Sequence, residues 1–232
     1  MRDSVKAWLV VPVVCLGLCG PARAGPLEDG QAAFDRGDYG MALQFFRPLA
    51  SQGNADAQYR LADMYSAGKG MPANNAEAAK WHRMAGNQGH VRAQYALGIM
   101  YNNGYGVPRD YVEALKWIRM AADQGYARAQ NTVGDYHFNG WGVAKDSVEG
   151  VGWFRKAAEQ GYAHAQETLG LLYAVGEGVP RDYVQAYMWL GLAAKGGRKD
   201  AADIRNAMAA KMAMTPEQID EAEKLVRAWT PR

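Results

Sequence analysis

The chain has 232 residues, of which 49% are hydrophobic and 22% charged, with 26 Lys and Arg against 24 Asp and Glu. So apolar a composition excludes a disordered chain, and the near balance of charge excludes the basic excess that marks a nucleic-acid-binding domain.

At the amino end, Arg2 and Lys6 precede an apolar run from Ala7 to Leu18, followed by Ala22-Arg23-Ala24. This pattern predicts a secretory signal peptide over residues 1–24, cut after Ala24. The run is too short to span a bilayer, which takes about 20 apolar residues, and Pro12 and Gly17 interrupt it. Lipid attachment at Cys19 is disfavoured because Leu18 stands where bacterial lipoproteins place a small residue. Cleavage leaves 208 residues with 23 basic and 23 acidic side chains. Both cysteines, Cys15 and Cys19, leave with the signal, so the exported chain is expected to have no disulfide, thiol nucleophile or Cys metal ligand.

Residues 25–52 read as a first helical hairpin, Leu27 to Gly37 and Asp38 to Gln52, with Tyr39, Ala42 and Phe45 in register with a pattern that recurs down the chain. Trp81, Trp117, Trp153 and Trp189 are spaced by 36 residues, and Phe45 lies one period upstream. The same period carries Gly53, Gly89, Gly125, Gly161 and Gly197, the Ala-Gln pairs at Ala57, Ala93, Ala129 and Ala165, and Gly-x-Gly at Gly68, Gly104, Gly140 and Gly176. Residues 53–196 are therefore four repeats.

Within a repeat the glycines and the loop proline punctuate two helices. Each second helix is predicted to open on a capping box, Asn74 with Glu77, Asp110 with Glu113, Asp146 with Glu149 and Asp182 with Gln185. Its apolar stripe follows helical spacing, as in Ala114, Trp117, Ile118 and Ala121. First helices carry Leu61, Ala62 and Tyr65, repeated as Leu97, Gly98 and Tyr101, as Val133, Gly134 and His137, and as Leu169, Gly170 and Tyr173. A two-helix unit cannot bury both stripes alone, so consecutive units must stack: the predicted fold is an all-α, α/α solenoid. Gly150 and Gly152 inside the third repeat's second helix each cost about 1 kcal/mol against alanine, which predicts that this repeat is the softest.

Beyond Gly197 the register fails, Arg205 taking the place of Leu61. Residues 197–232 are predicted to cap the solenoid, with a last helix opening at Thr215-Pro216-Glu217-Gln218 and a stripe of Ile219, Ala222, Val226 and Trp229. In the fourth repeat Met188 and Gly191 stand where the second carries Lys116 and Arg119, and that uncharged face is what the last helix is expected to cover.

The pattern Ala-Gln-x-x-Leu-Gly-x-x-Tyr, Gly-x-Gly-Val-Pro-x-Asp-Tyr and Ala-x-x-Trp-x-x-x-Ala-Ala-x-Gln-Gly, read from Ala93 to Gly125, resembles the Sel1-like repeat, a relative of the tetratricopeptide repeat. The resemblance covers Gly53 to Gly197, and residues 25–52 resemble a shortened tetratricopeptide-like capping hairpin. Departures are Ala144 for the loop proline and His137 for the tyrosine, both in the third copy. The resemblance implies a protein-binding scaffold whose concave face is lined by first-helix residues beside the packing positions. These are Asp56, Tyr59, Asp63 and Ser66; Arg92, Tyr95, Ile99 and Asn102; Arg128, Asn131, Asp135 and Phe138; and His164, Glu167, Leu171 and Ala174. They vary among copies, as residues reading a specific partner would, and as freely drifting solvent-facing residues would too.

Catalytic patterns are nearly empty. There is no Gly-x-Ser-x-Gly, no phosphate-binding glycine loop and no His-Glu-x-x-His, and the histidines His82, His90, His137 and His164 occupy unrelated repeat positions without metal-ligand spacing. His137 reads as a packing replacement for tyrosine. The bases Lys80 and Arg83, Lys116 and Arg119, and Arg155 and Lys156 read as a solvated outer face amid acidic neighbours. Trp141, in a loop outside the tryptophan period, is either folded back or an exposed anchor.

The expectation is an exported, non-enzymatic scaffold, periplasmic or secreted. It would have no cofactor or metal, no membrane anchor after cleavage and no nucleic-acid partner, and as a monomer it would hold a protein or peptide of the cell envelope in its concave face. A glycan-binding module of polysaccharide machinery, with Tyr59, Tyr95 and Phe138 stacking on sugar rings, is the alternative. Hydrolysis of β-lactams, described for some cysteine-bridged Sel1-like proteins, fits a chain without mature cysteine less well.

Overall fold

A computed structural model describes residues 25–231; the predicted signal peptide, with Cys15 and Cys19, lies outside the described residues. These residues form twelve α-helices and no strand. They pair as hairpins: α1 (Pro26–Asp35) with α2 (Tyr39–Ser51), α3 (Ala55–Ala67) with α4 (Asn75–Asn87), α5 (Val91–Asn103) with α6 (Tyr111–Asp123), α7 (Ala127–Asn139) with α8 (Ser147–Glu159) and α9 (Ala163–Val175) with α10 (Tyr183–Lys195). Helices α11 (Ala201–Lys211) and α12 (Pro216–Ala228) then pack on α10. Each helix otherwise packs on its neighbours in sequence, as a solenoid requires.

The helix starts follow the expected N-caps, but only half of each expected capping box forms. Asn74, Asp110, Asp146 and Asp182 accept from backbone N–H groups of the first turn, each cap contributing about 1 kcal/mol. The reciprocal bond is made at Thr215 and Gln218 of α12. Elsewhere the third residue is engaged on the outer face: Glu77 pairs with Lys80, Glu113 with Lys116, and Glu149 accepts from Trp153 Nε1 at 2.8 Å.

The two loop glycines have different jobs. Gly104 ends α5 in the left-handed conformation at φ 76°, which lets its N–H reach the Met100 carbonyl. Gly106, at φ 69°, lies on the previous hairpin, where an added Cβ would fall 2.2 Å from the Asn75 carbonyl. Its counterpart Gly178 lies as close to Ser147, at 2.4 Å. Thus the second glycine of each Gly-x-Gly is a contact between repeats as well as a turn residue.

Small residues on the first helices meet large ones on the second. Gly98 faces Ile118, Gly134 faces Phe154 and Gly170 faces Leu190, each without room for a methyl group. Trp117, Trp153 and Trp189 are buried, and Trp81 is half-buried. The Ala-Gln and Gln-Gly pairs build a ladder that spacing alone does not reveal. Gln94, 2% exposed, donates to the Gly86 carbonyl at the end of α4 at 3.0 Å and accepts from Gln124 at 2.8 Å. Gln58 with Gln88, and Gln130 with Gln160, do the same. Each rung satisfies a buried carbonyl that a helix end would otherwise leave orphaned. The ladder ends at Gln166, because Gly196 stands where the next glutamine would be.

The third repeat's glycines are not equivalent, which corrects the expectation that both weaken it. A Cβ on Gly150 would lie 3.0 Å from the Gly134 carbonyl and 3.3 Å from Phe138 Cβ, so this glycine makes room for Phe138. Around Gly152 there is open space. Gly152→Ala is therefore expected to stabilise by about 0.5–1 kcal/mol and Gly150→Ala to destabilise, as chemical denaturation of the two variants would show.

At the carboxyl end, Ala222 of α12 is fully buried with Tyr187 and Leu190 of α10, and Val226 meets Gly191. Val226 and Trp229 also pack on the core cluster that contains Trp189. Arg205 of α11 lies over the Tyr187 ring at 4.7 Å. The uncharged face of α10 thus finds its cover where the sequence placed it.

Candidate functional site

The residues proposed from the repeat register lie on one face of α3, α5, α7 and α9, and they divide into a rim and a floor. Arg92, Arg128 and Leu171 are exposed, as are Asp56, Ser66 and His164. Tyr59, Asp63, Tyr95, Ile99, Asn102, Asp135 and Phe138 are half-buried, and Asn131 and Glu167 are buried.

Side chains of each first helix engage the start of the next. Tyr59 stacks on His90 with centroids 4.6 Å apart, and Tyr95 meets Tyr126 edge to face at 5.4 Å. The Arg128 guanidinium lies beside the Tyr162 side chain, and Glu167 is ion-paired with Arg198. Asn102 accepts from the Tyr136 hydroxyl at 2.6 Å, tying α5 to α7. The aromatics expected to stand free for a partner or a sugar are therefore partly committed to joining repeats. Phe138 packs towards Phe154, 6.3 Å between centroids, with the Lys145 ammonium 5.4 Å from its ring. A stacking platform made of Tyr59, Tyr95 and Phe138 together is not what the structure presents.

Two carboxylates sit on the floor at the same register, and their surroundings differ. Asp63 lies beside the Tyr59 hydroxyl; burial raises its carboxyl, while that hydroxyl and the nearby side chains of Arg60, His90 and Lys69 hold it down. Burial and the Asp63 charge push Tyr59 up to about 12. His82 Nε2 lies 3.6 Å from Asp63 Oδ1, too long for a hydrogen bond, and burial holds this imidazole down to about 4, so it is neutral and the contact is not an ion pair. His82 occupies the position of Ile118, Phe154 and Leu190 in the other repeats, and its Nδ1 is buried without a partner.

Asp135 has no such company. Burial alone raises its carboxyl to about 6, and its hydrogen bond comes from the Asn131 amide at 3.1 Å. Between about pH 4 and 6 the folded chain holds a proton here that the unfolded chain gives up. The stability contributed by neutral Asp135 is complete below about pH 4 and is lost as the pH rises through 6. Asp135→Asn is expected to raise stability at pH 7 by about 1–2 kcal/mol, after discounting for partial solvent access, and to flatten this part of the pH profile. Thermal melts of both proteins from pH 4 to 8 would show a loss instead if the carboxylate had a cation in the folded chain.

Outside this face the other sequence candidates are accounted for. Arg83 and Arg155 donate to the hydroxyls of Tyr101 and Tyr173, while Arg119, for which the corresponding position holds His137 in place of tyrosine, pairs with Asp123 at 3.1 Å and lies over Trp153 at 4.5 Å. Trp141 is folded back, stacked on Tyr111 and edge-on to Tyr136, yet 43% exposed. Among the described residues no three His, Asp or Glu side chains converge in a way that could hold a metal ion. A shallow pocket of about 220 Å³, lined by Asp56, Tyr59, Arg60, His90, Val91 and Arg92, opens on the same face as the floor carboxylates.

The family model for the Sel1 repeat matches five units, residues 23–54, 55–90, 91–126, 127–162 and 163–197, so it counts the first hairpin as a repeat. Among solved structures, a Sel1 repeat protein from Oxalobacter formigenes is 30% identical with a TM-score of 0.77, over 85% of this chain and 84% of its own. A protective antigen of uropathogenic Escherichia coli, described as displaying an SLR fold, is 29% identical with a TM-score of 0.58, over 87% of this chain and 52% of its own. A Klebsiella pneumoniae protein described as a putative sel1 repeat protein shares the fold at 20% identity and a TM-score of 0.50, over 79% and 91%. No curated protein matches.

Proposed function

The chain belongs to the Sel1 repeat family, whose solenoids are generally non-catalytic and bind protein partners, and from that premise we propose that it is an exported scaffold. Its partner would be a protein or peptide of the cell envelope, held on the face formed by α3, α5, α7 and α9. One observation carries the reading. The floor of that face holds one polar atom left unsatisfied, Asn131 Oδ1, beside the Asp135 carboxylate, which accepts from the Asn131 amide and faces no cation, whereas Glu77, Glu113 and Asp123 on the outer face are each ion-paired. A partner that supplies donors is what such a surface lacks.

Export rests on the sequence pattern of residues 1–24, and a periplasmic or secreted location is what that pattern supports. The glycan alternative is weaker, since its aromatics are engaged between repeats or over Gly150. The chain from Gly25, immobilised and exposed to envelope extract, is expected to retain one protein in stoichiometric amount. Retention of polysaccharide without protein would favour the glycan module, and an intact mass showing an acylated Cys19 would overturn soluble export.

A further inference from the structure

We propose that Asp135, with Asn131 beside it, forms a recognition site for a lysine or arginine side chain of the partner. The inference rests on reading the first-helix face as the partner surface and names the chemistry read there.

The floor carries three carboxylates on first helices. Asp63 has the Tyr59 hydroxyl together with Arg60, His90 and Lys69 nearby, and Glu167 has Arg198. Asp135, on the helix between them, has only the Asn131 amide. That bond fixes the amide: its nitrogen faces Asp135 Oδ2, so the remaining oxygen is an acceptor beside the carboxylate. Asn131 is 5% exposed, and this oxygen is buried without a hydrogen-bond partner. The orphaned amide oxygen and the carboxylate are both acceptors, because an ionised carboxylate donates nothing. Donors complement both, and the negative charge of the carboxylate favours a donor that is a cation.

An ammonium has three donors and a guanidinium a planar fork of five, and either fits. A bare metal ion does not, since calcium takes six to eight oxygen ligands and this place offers a carboxylate and one amide oxygen. Ile99 and Leu171 hold the register of Asp135 in the neighbouring repeats, the first half-buried and the second 41% exposed. They give the aliphatic stem of a long basic side chain an apolar path to the floor.

A displayed library of linear peptides selected against the chain from Gly25, and in parallel against Asp135→Asn, tests this. The expected result is a Lys or Arg at one fixed place in peptides selected by the wild type and its absence from those selected by the variant. Exchanging that residue for Met should weaken binding to the wild type by about tenfold or more and leave binding to the variant unchanged. The variant's unfolding midpoint, expected to be no lower than wild type, separates lost recognition from lost folding. Peptides without a fixed cation, or a cation preference that survives in Asp135→Asn, would overturn the site and leave the scaffold reading standing. Selection of no peptide at all would overturn the site as a reader of linear segments, and the capture of a protein from envelope extract then decides the scaffold reading separately.

Discussion

Trp117→Ala is expected to destabilise the chain by about 3–5 kcal/mol, as large-to-small changes do in a core that cannot collapse around the gap. Trp117 is 6% exposed in the cluster of Ala78, Ala79, Leu97 and Met100, and its ring lies over Gly86, where a Cβ would be 3.1 Å away. It therefore touches the hairpin before it as well as its own. Tyr95→Ala, by contrast, removes a half-buried ring that meets Tyr126, and about 1–2 kcal/mol is the expected loss. Urea unfolding of the two variants should separate by at least that difference, and equal losses would mean that Tyr95 is as much core as Trp117.

Removing residues 214–232 should have a comparably large effect of another kind. It uncovers Tyr187, Met188, Leu190 and Gly191, a face that buries Ala222 and packs Ile219 and Val226. At about 25 cal/mol per Å² an apolar face of this kind is unfavourable in water, and association with another copy is the available way to cover it. Sedimentation of the shortened chain is expected to show oligomers or aggregate. A monomer as stable as the full-length protein would mean that α12 is an ornament rather than a cap.

How much of this is legible in the sequence depends on whether repetition carries it. Trp117, Asp110 and the glycines at Gly104 and Gly106 declare themselves because the copies share them and each acts within local geometry that spacing encodes. The copies of Gln94 are just as regular, yet their role is invisible along the chain, since the carbonyl they satisfy lies eight residues back and the amide they accept from lies 30 residues ahead. Capping boxes are easily overread because a glutamate three residues after a cap has other partners on a helix surface, as Trp153 is for Glu149.

The candidate face is located by register alone, and register cannot say how deep a side chain sits. Tyr59 and Tyr95 look free in the sequence because their positions vary, but variation is also what pairwise fits between adjacent repeats produce, with His90 in one case and Tyr126 in the other. Phe138 and Gly150 mislead together: the large and the small residue compensate each other across a hairpin, a pairing that no single position betrays. The orphaned Asn131 oxygen is visible only in three dimensions.

The central claim is that one face of the solenoid, the first-helix face, holds the partner. A photo-reactive phenylalanine analogue placed at Leu171, or at Arg128, on that face, and at Val112 or Val148 on the second helices, tests it directly at positions that are all exposed. Illumination in envelope extract is expected to yield one discrete protein adduct from Leu171 and Arg128, and none from Val112 and Val148. The same adducts from both faces, or adducts from the second helices alone, would contradict the account.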